Sequence, residues 1–332
     1  MIRLFQLRDL PLVHRLGDRG VAFEAESALI DSPHPVRNAL VNRLVGRKYF
    51  TYVWKSDSKE GSAFVQVRCE EDCSAARLIF LGASSAAGEE EDQNGIDEDI
   101  WLTLLDDLIV ATGSRGAHNL IAEVHETGPE FPVIRQAGFA VYTRQDIWIS
   151  DGFSEADNRA ELRDFRELDD WDVFVLYSNI VPRLIQSVEP NPPIHTGNNW
   201  VLREGDELSA LVHINDGPVA SWMRLFIHPN AHTKPKSIIQ AALAAGQPSK
   251  ERPVYCCVRR YQSWLQGPLQ EAGFRYWGSQ AVMVKHMTKA VKQQSTVKQL
   301  GLEPQAVAGS STLIQGFSQP NGKNHKSRNF EN

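Results

Sequence analysis

Hydrophobic and polar residues alternate along the chain in a pattern that predicts the same series of elements twice. The series is a short strand, an amphipathic helix, three strands, a helix rich in Leu and Ala, a strand, a helix and a final strand. In the first half, the predicted helices and strands cover residues 2–7, 10–16, 50–54, 63–68, 76–81, 100–111, 119–124 and 141–149. In the second half, they are predicted over 160–164, 168–177, 199–203, 207–214, 220–227, 236–245, 253–258 and 276–285. Helices between strands favour an α/β fold with a mixed sheet and crossover connections.

Short sequence matches support this duplication. Leu7-Arg8-Asp9-Leu10 recurs as Leu162-Arg163-Asp164-Phe165, and Gln136-Ala137-Gly138-Phe139 recurs as Glu271-Ala272-Gly273-Phe274. A glutamine follows each phenylalanine of the second motif after six residues, at Gln145 and Gln280. Matches in the same order in both halves indicate an internal repeat.

The repeat and the composition divide the chain into four segments. We predict an N-terminal copy at 1–150, a linker at 151–158, a C-terminal copy at 159–287 and a disordered tail at 288–332. The linker is polar and contains glycine, and the tail is rich in Gln, Ser, Lys and Asn. A second interpretation of the tail is a short arm that binds a partner.

Charge and hydropathy exclude several classes of protein. The 332 residues carry a formal net charge of −6 without a clustered basic face, so we expect no binding of nucleic acid. No apolar run approaches the ~18 residues of a membrane-spanning helix, and the charged N-terminus is unlike a signal peptide. We therefore expect a cytoplasmic protein that does not enter a membrane. Cys69 and Cys73 resemble half of a metal site, but no second ligand pair accompanies them, so we expect no metal.

The order of elements, with Gly-Phe just before the last strand, resembles the GCN5-related N-acetyltransferase (GNAT) family. In the N-terminal copy, the resemblance is carried by Leu104-Leu105-Asp106-Asp107-Leu108, Asn119-Leu120-Ile121-Ala122-Glu123 and Ala137-Gly138-Phe139. In the C-terminal copy, it runs from 220 to 285. The resemblance implies two tandem GNAT-like domains, each a mostly antiparallel mixed sheet flanked by helices. We expect the glycine of each Gly-Phe to take the left-handed conformation that ends a helix, which a Cβ atom disfavours.

The resemblance also implies acetyl-CoA or another acyl-CoA as co-substrate. In the family, a loop of pattern R/Q-x-x-G-x-G/A opens the central helix, and its backbone N–H groups hold the pyrophosphate. In the C-terminal copy this loop follows Ile227-His228-Pro229, and Thr233, Pro235 and Ser237 replace its glycines. Two lysines and hydroxyl groups at the start of the helix still favour an anion. The implied cofactor-binding residues are Phe226, Ile227, His232, Thr233, Lys234, Lys236, Ser237 and Gln262.

The corresponding segment of the N-terminal copy is acidic. It contains Glu89-Glu90-Glu91-Asp92 and Asp97-Glu98-Asp99, which would repel a diphosphate. We therefore predict that the C-terminal copy is the working half. Tandem members of the family show the same division into one working copy and one degenerate copy.

Few side chains suit the acid–base chemistry of acyl transfer. The family often places a tyrosine four residues before the Gly of Gly-Phe to protonate the leaving thiolate, and Ile134 and Leu269 stand there. His228 ends a predicted strand beside the presumed cofactor helix, so it is the candidate base that deprotonates the amine. Tyr261, next to the glutamine of the cofactor set, is the second candidate catalytic residue. Other candidate bases are Glu123, His125 and His213.

These patterns support three hypotheses about function. The leading hypothesis is an acyl-CoA-dependent N-acyltransferase whose acceptor is a small-molecule amine, a protein N-terminus or a lysine. The first alternative is a non-catalytic GNAT-like protein that binds a ligand or serves as a scaffold. The second is an unrelated α/β binding protein. The family's strand order with a V-shaped opening between the two central strands would exclude the unrelated protein. A missing opening would exclude the acyltransferase, because the pantetheine arm of acyl-CoA inserts there in GNAT enzymes.

Overall fold

A single sheet runs through the computed structural model, which describes residues 2–31, 34–45, 49–55, 61–69, 74–85, 97–151, 160–192, 194, 197–246 and 252–287. Its strands are β1 (Arg3–Leu4), β2 (Val21–Ala22), β3 (Tyr49–Lys55), β4 (Gly61–Cys69), β5 (Ala75–Ser85), β6 (Asn119–His125), β7 (Ala140–Ser150), β8 (Arg163–Asp164), β9 (Asn198–Glu204), β10 (Glu207–Asp216), β11 (Ser221–Ile227), β12 (Val254–Arg259) and β13 (Arg275–His286). The helices are α1 (Leu10–Gly17), α2 (Ala25–Ile30), α3 (Pro35–Val45), α4 (Glu98–Ser114), α5 (Glu130–Gln136), α6 (Asp170–Ile180), α7 (Arg183–Gln186), α8 (Pro235–Gly246) and α9 (Gln266–Glu271). The predictions for the linker beyond 151, the acidic run at 89–92, Cys73 and the tail lie outside the described residues.

The strand order shows the predicted mixed sheet. It is β1-β3-β4-β5-β6-β13-β7-β12-β11-β10-β9-β8, and β2 pairs with β5. Two neighbouring pairs among these strands, β5 with β6 and β11 with β12, are parallel, and the others are antiparallel. The two halves of this order are equivalent when they are read from opposite edges. In the part of the chain that the structure describes, no helix is both long enough and apolar enough to cross a membrane.

The two copies exchange their final strands. β13, the last strand of the C-terminal copy, lies beside β6 of the N-terminal copy. β7, the last strand of the N-terminal copy, lies beside β12 of the C-terminal copy, and β7 and β13 pair with each other. Gln145 faces Gln280 in this pair, and Gln145 Nε2 donates to Gln280 Oε1 over 2.9 Å. The two glutamines of the sequence repeat therefore mark the approximate twofold axis of the molecule.

The Leu-Arg-Asp match in the sequence is wrong as a structural equivalence. Leu7 begins a short 3-10 helix, whereas Arg163 lies in strand β8. The equivalent pairs are instead Arg3 with Asp9 and Arg163 with Asp169. In each pair the arginine donates two hydrogen bonds to the aspartate, which also accepts a main-chain N–H of the same turn. The true repeat is therefore an ion pair that shapes the turn before the first long helix.

Helices pack on the sheet in a similar way in both copies. α4 and α5 pack on the strands of the N-terminal copy, and α8 and α9 pack on those of the C-terminal copy. Gly138 follows α5 with a φ of 84°, and Gly273 follows α9 with a φ of 91°. The phenylalanine after each glycine, Phe139 or Phe274, is 3% exposed and lies in the core. The left-handed helix ends predicted from Gly-Phe are confirmed.

A network of buried ionic groups joins the two copies. Glu189, whose side chain is 12% exposed, accepts from Arg259 over 3.0 and 3.2 Å and from the Tyr142 hydroxyl. Arg77 of the N-terminal copy lies 3.6 Å from the same carboxylate. Burial raises the pKa of Glu189, but Arg259 and Arg77 outweigh burial and hold the pKa at about 2. Glu189 is therefore ionised and is shared by arginines of both copies.

The approximate symmetry repeats this contact on the other side of the axis. Arg77 and Arg224 are the last residues paired in the two parallel ladders, and each interacts with a glutamate of the other copy. Glu26 from α2 accepts from Arg224 Nη2 over 2.9 Å and from Asn215 Nδ2 over 2.8 Å. The two copies are thus joined by a reciprocal pair of ionic contacts as well as by the exchanged strands.

We expect Glu189→Ala to lower the free energy of unfolding by about 3–5 kcal/mol, because it leaves two buried arginines without their shared carboxylate. Urea denaturation followed by circular dichroism measures this change. Asp151→Ala is the matched control: Asp151 binds Arg275 at the surface, where a pair contributes less than about 1 kcal/mol. Equal losses in the two variants would contradict the importance of the buried network.

Candidate functional site

Both parallel strand pairs open into a V. β11 and β12 pair from Ser221 with Val254 to Arg224 with Cys257, and then diverge. Beyond that point β12 continues beside β7, whereas β11 continues beside β10. β5 and β6 diverge in the same way after three residue pairs. Each copy therefore contains the opening that the resemblance to GNAT enzymes requires.

The chain itself fills the opening in the N-terminal copy. β2 pairs with β5 along one side of the opening. The next residue, Phe23, spans it, because its N–H donates to Ile79 O over 2.9 Å and its carbonyl accepts the Glu123 N–H over 2.9 Å. The Phe23 ring is 1% exposed, and its centroid lies 5.8 Å from that of Trp101 on α4. Main chain at 21–23 therefore closes this opening to a ligand.

The opening in the C-terminal copy contains side chains instead. Among the described residues, no strand lies between β11 and β12. Gln262 Nε2 donates across the opening to Leu225 O on β11 over 2.9 Å. Phe226 and Tyr261 belong to one apolar cluster beside it, and Ile227 packs into the core beneath α8. Three of the predicted site residues, Phe226, Tyr261 and Gln262, thus lie at this opening.

The loop between β11 and α8 holds a carboxylate on its main-chain amides. The N–H groups of His232 and Thr233 donate to Glu204, at the end of β9, over 2.8 and 2.7 Å. The Ser209 hydroxyl donates to the same carboxylate over 2.9 Å. Burial raises the pKa of Glu204, but the hydrogen bonds from Thr233, His232 and Ser209 outweigh burial and hold the pKa at about 2. A carboxylate of the chain therefore binds two amides of the loop that the resemblance assigns to the pyrophosphate.

The two candidate catalytic residues differ in their readiness for proton transfer. His228 Nδ1 accepts the Asn230 N–H over 3.2 Å, so the neutral ring carries its proton on Nε2. The ring has to lose this hydrogen bond before it can act as a base. Burial raises the pKa of Tyr261, so its hydroxyl keeps its proton at neutral pH and gives it up less readily than an exposed tyrosine.

The predicted phosphate-binding side chains lie at the start of α8. Lys234 is exposed, and its carbonyl accepts the N–H of Ser237 over 2.9 Å in the first turn. Lys236 Nζ lies 4.0 Å from the Glu271 carboxylate and is partly exposed. Both lysines can therefore reach solvent at the N-terminal end of α8, where the helix dipole favours an anion.

The alternative bases from the sequence have structural partners. Glu123 is 4% exposed and accepts the Ala25 N–H over 2.8 Å, so it holds the segment that fills the N-terminal opening. The exposed His125 ring lies 6.2 Å from that of Trp277, between centroids. His213 is 1% exposed and lies within β10. Glu123 and His213 are therefore buried, whereas His125 remains exposed.

Sequence reasoning missed Glu204 and Phe23. Glu204 is one of three acidic residues around the β9–β10 turn, and the two amides that it binds lie 28 and 29 residues further along the chain. Phe23 is an isolated aromatic in a stretch without strong periodicity. No local signal marks either residue, because both act through contacts between distant segments.

The described residues offer no metal centre and no reactive thiol. No three His, Cys, Asp or Glu side chains among them lie close enough together to hold a metal ion. Cys69, Cys256 and Cys257 are buried, and burial raises the pKa of the Cys256 and Cys257 thiols. Those two thiols are therefore protonated at neutral pH.

The fold is similar to that of solved GCN5-related acetyltransferases. One from Sphaerobacter thermophilus is 11% identical, with 86% of this chain and 95% of that chain covered and a TM-score of 0.52. A glucosamine N-acetyltransferase region of a fungal multi-domain GH3 β-N-acetylglucosaminidase is 10% identical, with 86% of this chain and 38% of that chain covered and a TM-score of 0.54. The chain has the GNAT fold. This confirms the fold inferred from the order of elements and excludes an unrelated α/β fold. No protein-family model and no curated protein matches the chain.

The two openings of this GNAT fold suit an acyl-CoA unequally. In the N-terminal copy, the main chain around Phe23 takes the place of a pantetheine arm, so the residues there do not fit the co-substrate. In the C-terminal copy no main chain lies between the described strands, but Gln262 is bonded across the opening to Leu225 O and the amides of His232 and Thr233 are bonded to Glu204. An acyl-CoA would therefore have to displace both the Gln262 amide and the Glu204 carboxylate from these hydrogen bonds.

We expect His213 to make the stability of the folded protein sensitive to acid. Its Nδ1 lies 2.9 Å from Asn199 Oδ1. Burial lowers its pKa from 6.5 to about 4, with Arg224 acting in the same direction and Glu26 against it. We expect stability to fall between pH 6.5 and 4, because only the unfolded chain protonates this histidine there. The loss in the free energy of unfolding that His213 causes over this pH range is on the order of 3 kcal/mol.

Urea denaturation at several pH values measures this loss. His213→Gln keeps a hydrogen-bond donor near Asn199 and has no titrating ring, so it should remove this part of the pH dependence. His14→Gln, at an exposed position of α1, should leave the pH dependence as it is. If the profile of His213→Gln matches that of the unmodified protein, the buried ring is not its source.

Proposed function

We propose that the protein is an acyl-CoA-dependent N-acyltransferase and that its C-terminal copy is the working half. The opening between β11 and β12 carries the proposal, because main chain fills its counterpart in the N-terminal copy. The GNAT fold supports acyl transfer in general, and the difference between the openings supports one site per chain. The acceptor is an amine, on a small molecule, a protein N-terminus or a lysine, and the protein acts in the cytoplasm.

The described residues suit separate roles at this site. Phe226 and Gln262 would contact the pantetheine arm, and Lys234 and Lys236 would attract the phosphates at the start of α8. When bound, the acyl-CoA supplies an activated thioester. Tyr261 retains its proton and would donate it to the leaving thiolate. His228 would deprotonate the amine once its Nδ1 has released the loop N–H.

Calorimetric titration with acetyl-CoA tests the proposal. We expect one site per chain with micromolar affinity. Lys234→Ala combined with Lys236→Ala should weaken binding by about tenfold or more, because two charges next to the phosphates are lost. Arg8→Ala combined with Arg19→Ala is the matched control, since it removes the same charge from exposed positions of the N-terminal copy.

The outcomes separate the parts of the proposal. Two sites per chain would contradict the closed N-terminal opening. Equal weakening in both double variants would show that only the overall charge matters. No detectable binding of acetyl-CoA or longer acyl-CoAs would overturn the acyltransferase itself.

A non-catalytic GNAT-like protein, which binds a ligand or serves as a scaffold, is the second candidate function. Ile134 and Leu269 favour it, because both are 0% exposed at the positions where the family often has its proton-donating tyrosine. An assay of free thiol release from acetyl-CoA with polyamines, amino acids and peptides distinguishes the candidates. Acetyl-CoA binding without amine-dependent thiol release would support the non-catalytic protein.

A further inference from the structure

Glu204 occupies the amides before α8 in the manner of a bound anion. Its two carboxylate oxygens accept separately from the consecutive N–H groups of His232 and Thr233 over 2.8 and 2.7 Å. The oxygen that binds the His232 N–H also accepts from the Ser209 hydroxyl over 2.9 Å. Hydrogen bonds to an ionised acceptor are about twice as strong as those between neutral groups.

The two main-chain N–H groups before His232 also have hydrogen-bond acceptors within the chain. The Asn230 N–H donates to His228 Nδ1 over 3.2 Å, and the Ala231 N–H donates to His228 O over 3.0 Å. The four consecutive amides at 230–233 therefore all have partners inside the protein. A diphosphate that enters this loop meets no free N–H group in that stretch.

The β9–β10 hairpin sets the position of Glu204. Its ladder pairs Leu208 with Arg203 and Ala210 with Leu202, so Ser209 is an extra residue in a β-bulge. The Ser209 hydroxyl then binds Glu204, while its carbonyl accepts the N–H of His228 in the loop. The hairpin and the loop are thus joined on both sides of the carboxylate.

We propose that Glu204 is an intramolecular competitor of the acyl-CoA pyrophosphate and keeps the C-terminal site in a state of low affinity. The inference rests on the proposed function. The carboxylate and the pyrophosphate repel each other and need the same N–H donors, so the loop binds one or the other. Part of the binding free energy of an acyl-CoA is then used to displace Glu204, which weakens the observed affinity.

Glu204→Ala tests the proposal in the full chain. Calorimetry with CoA should give a dissociation constant at least about tenfold lower than that of the unmodified protein, because the amides become free for the pyrophosphate. Pantetheine, which lacks the diphosphate, should bind the two proteins equally. Glu204→Gln keeps the shape of the side chain and loses its charge, so a smaller gain in CoA affinity is expected.

Asp206→Ala is the matched control. Asp206 is exposed in the same turn and carries the same charge, but the amides of His232 and Thr233 bind Glu204. Its affinity for CoA should stay within about twofold of the unmodified protein, since screening limits the effect of an exposed charge. Circular dichroism and thermal unfolding check the fold of each variant, and Glu204→Gln carries the comparison if Glu204→Ala unfolds.

The outcomes distinguish this inference from the proposed function. If the unmodified protein binds CoA and neither Glu204 variant binds it more tightly, Glu204 is no competitor, although the acyl-CoA site remains. An equal gain in Asp206→Ala, or an equal gain for pantetheine, would also overturn the inference. If no variant binds CoA, both proposals fail. Tight binding by the Glu204 variants alone would establish the competition.

Discussion

The pairing of β7 with β13 is the contact on which the rest of the structure depends. Each of these strands completes the sheet of the other copy, so that β13 covers the edge of β6 and β7 covers the edge of β12. β6 and β12 are also the strands that form one side of each V. The reciprocal contacts of Glu26 and Glu189 with arginines of the opposite copy repeat the exchange at the level of side chains. Both openings are therefore built from parts of both copies.

The two openings differ in the contacts made by the free ends of β6 and β12. Glu123 lies two residues beyond the last parallel pair of β6, and Arg259 lies two residues beyond the last parallel pair of β12. Glu123 accepts the N–H of Ala25 and so holds the preceding segment inside the N-terminal opening. Arg259 instead binds the side chain of Glu189, in the segment that follows α7. The approximate symmetry of the fold thus persists, although the segment before α2 contacts the end of β6 and the segment after α7 contacts the end of β12.

Periodicity predicts most of the long elements because each of them buries one face, but α3 (Pro35–Val45) was not predicted. α4 and α8, the strands from β3 to β7 and the strands from β9 to β13 all lie where the alternation of residues places them. The exchange of final strands leaves no trace in the pattern, since either topology buries the same side chains. β2 and α2 are too short for periodicity. At the candidate site, Phe226, Tyr261 and Gln262 were within reach of sequence reasoning, whereas Glu204 acts through a contact that no spacing reveals.

The exchange also has a consequence for any shortened form of the chain. β12 is hydrogen-bonded to β7 along six residue pairs, so loss of the N-terminal half would leave a long exposed edge of the kind that aggregates. The half whose own opening is filled therefore still protects an edge of its neighbour. A chain shortened to the half that holds the open site would expose that edge to other chains.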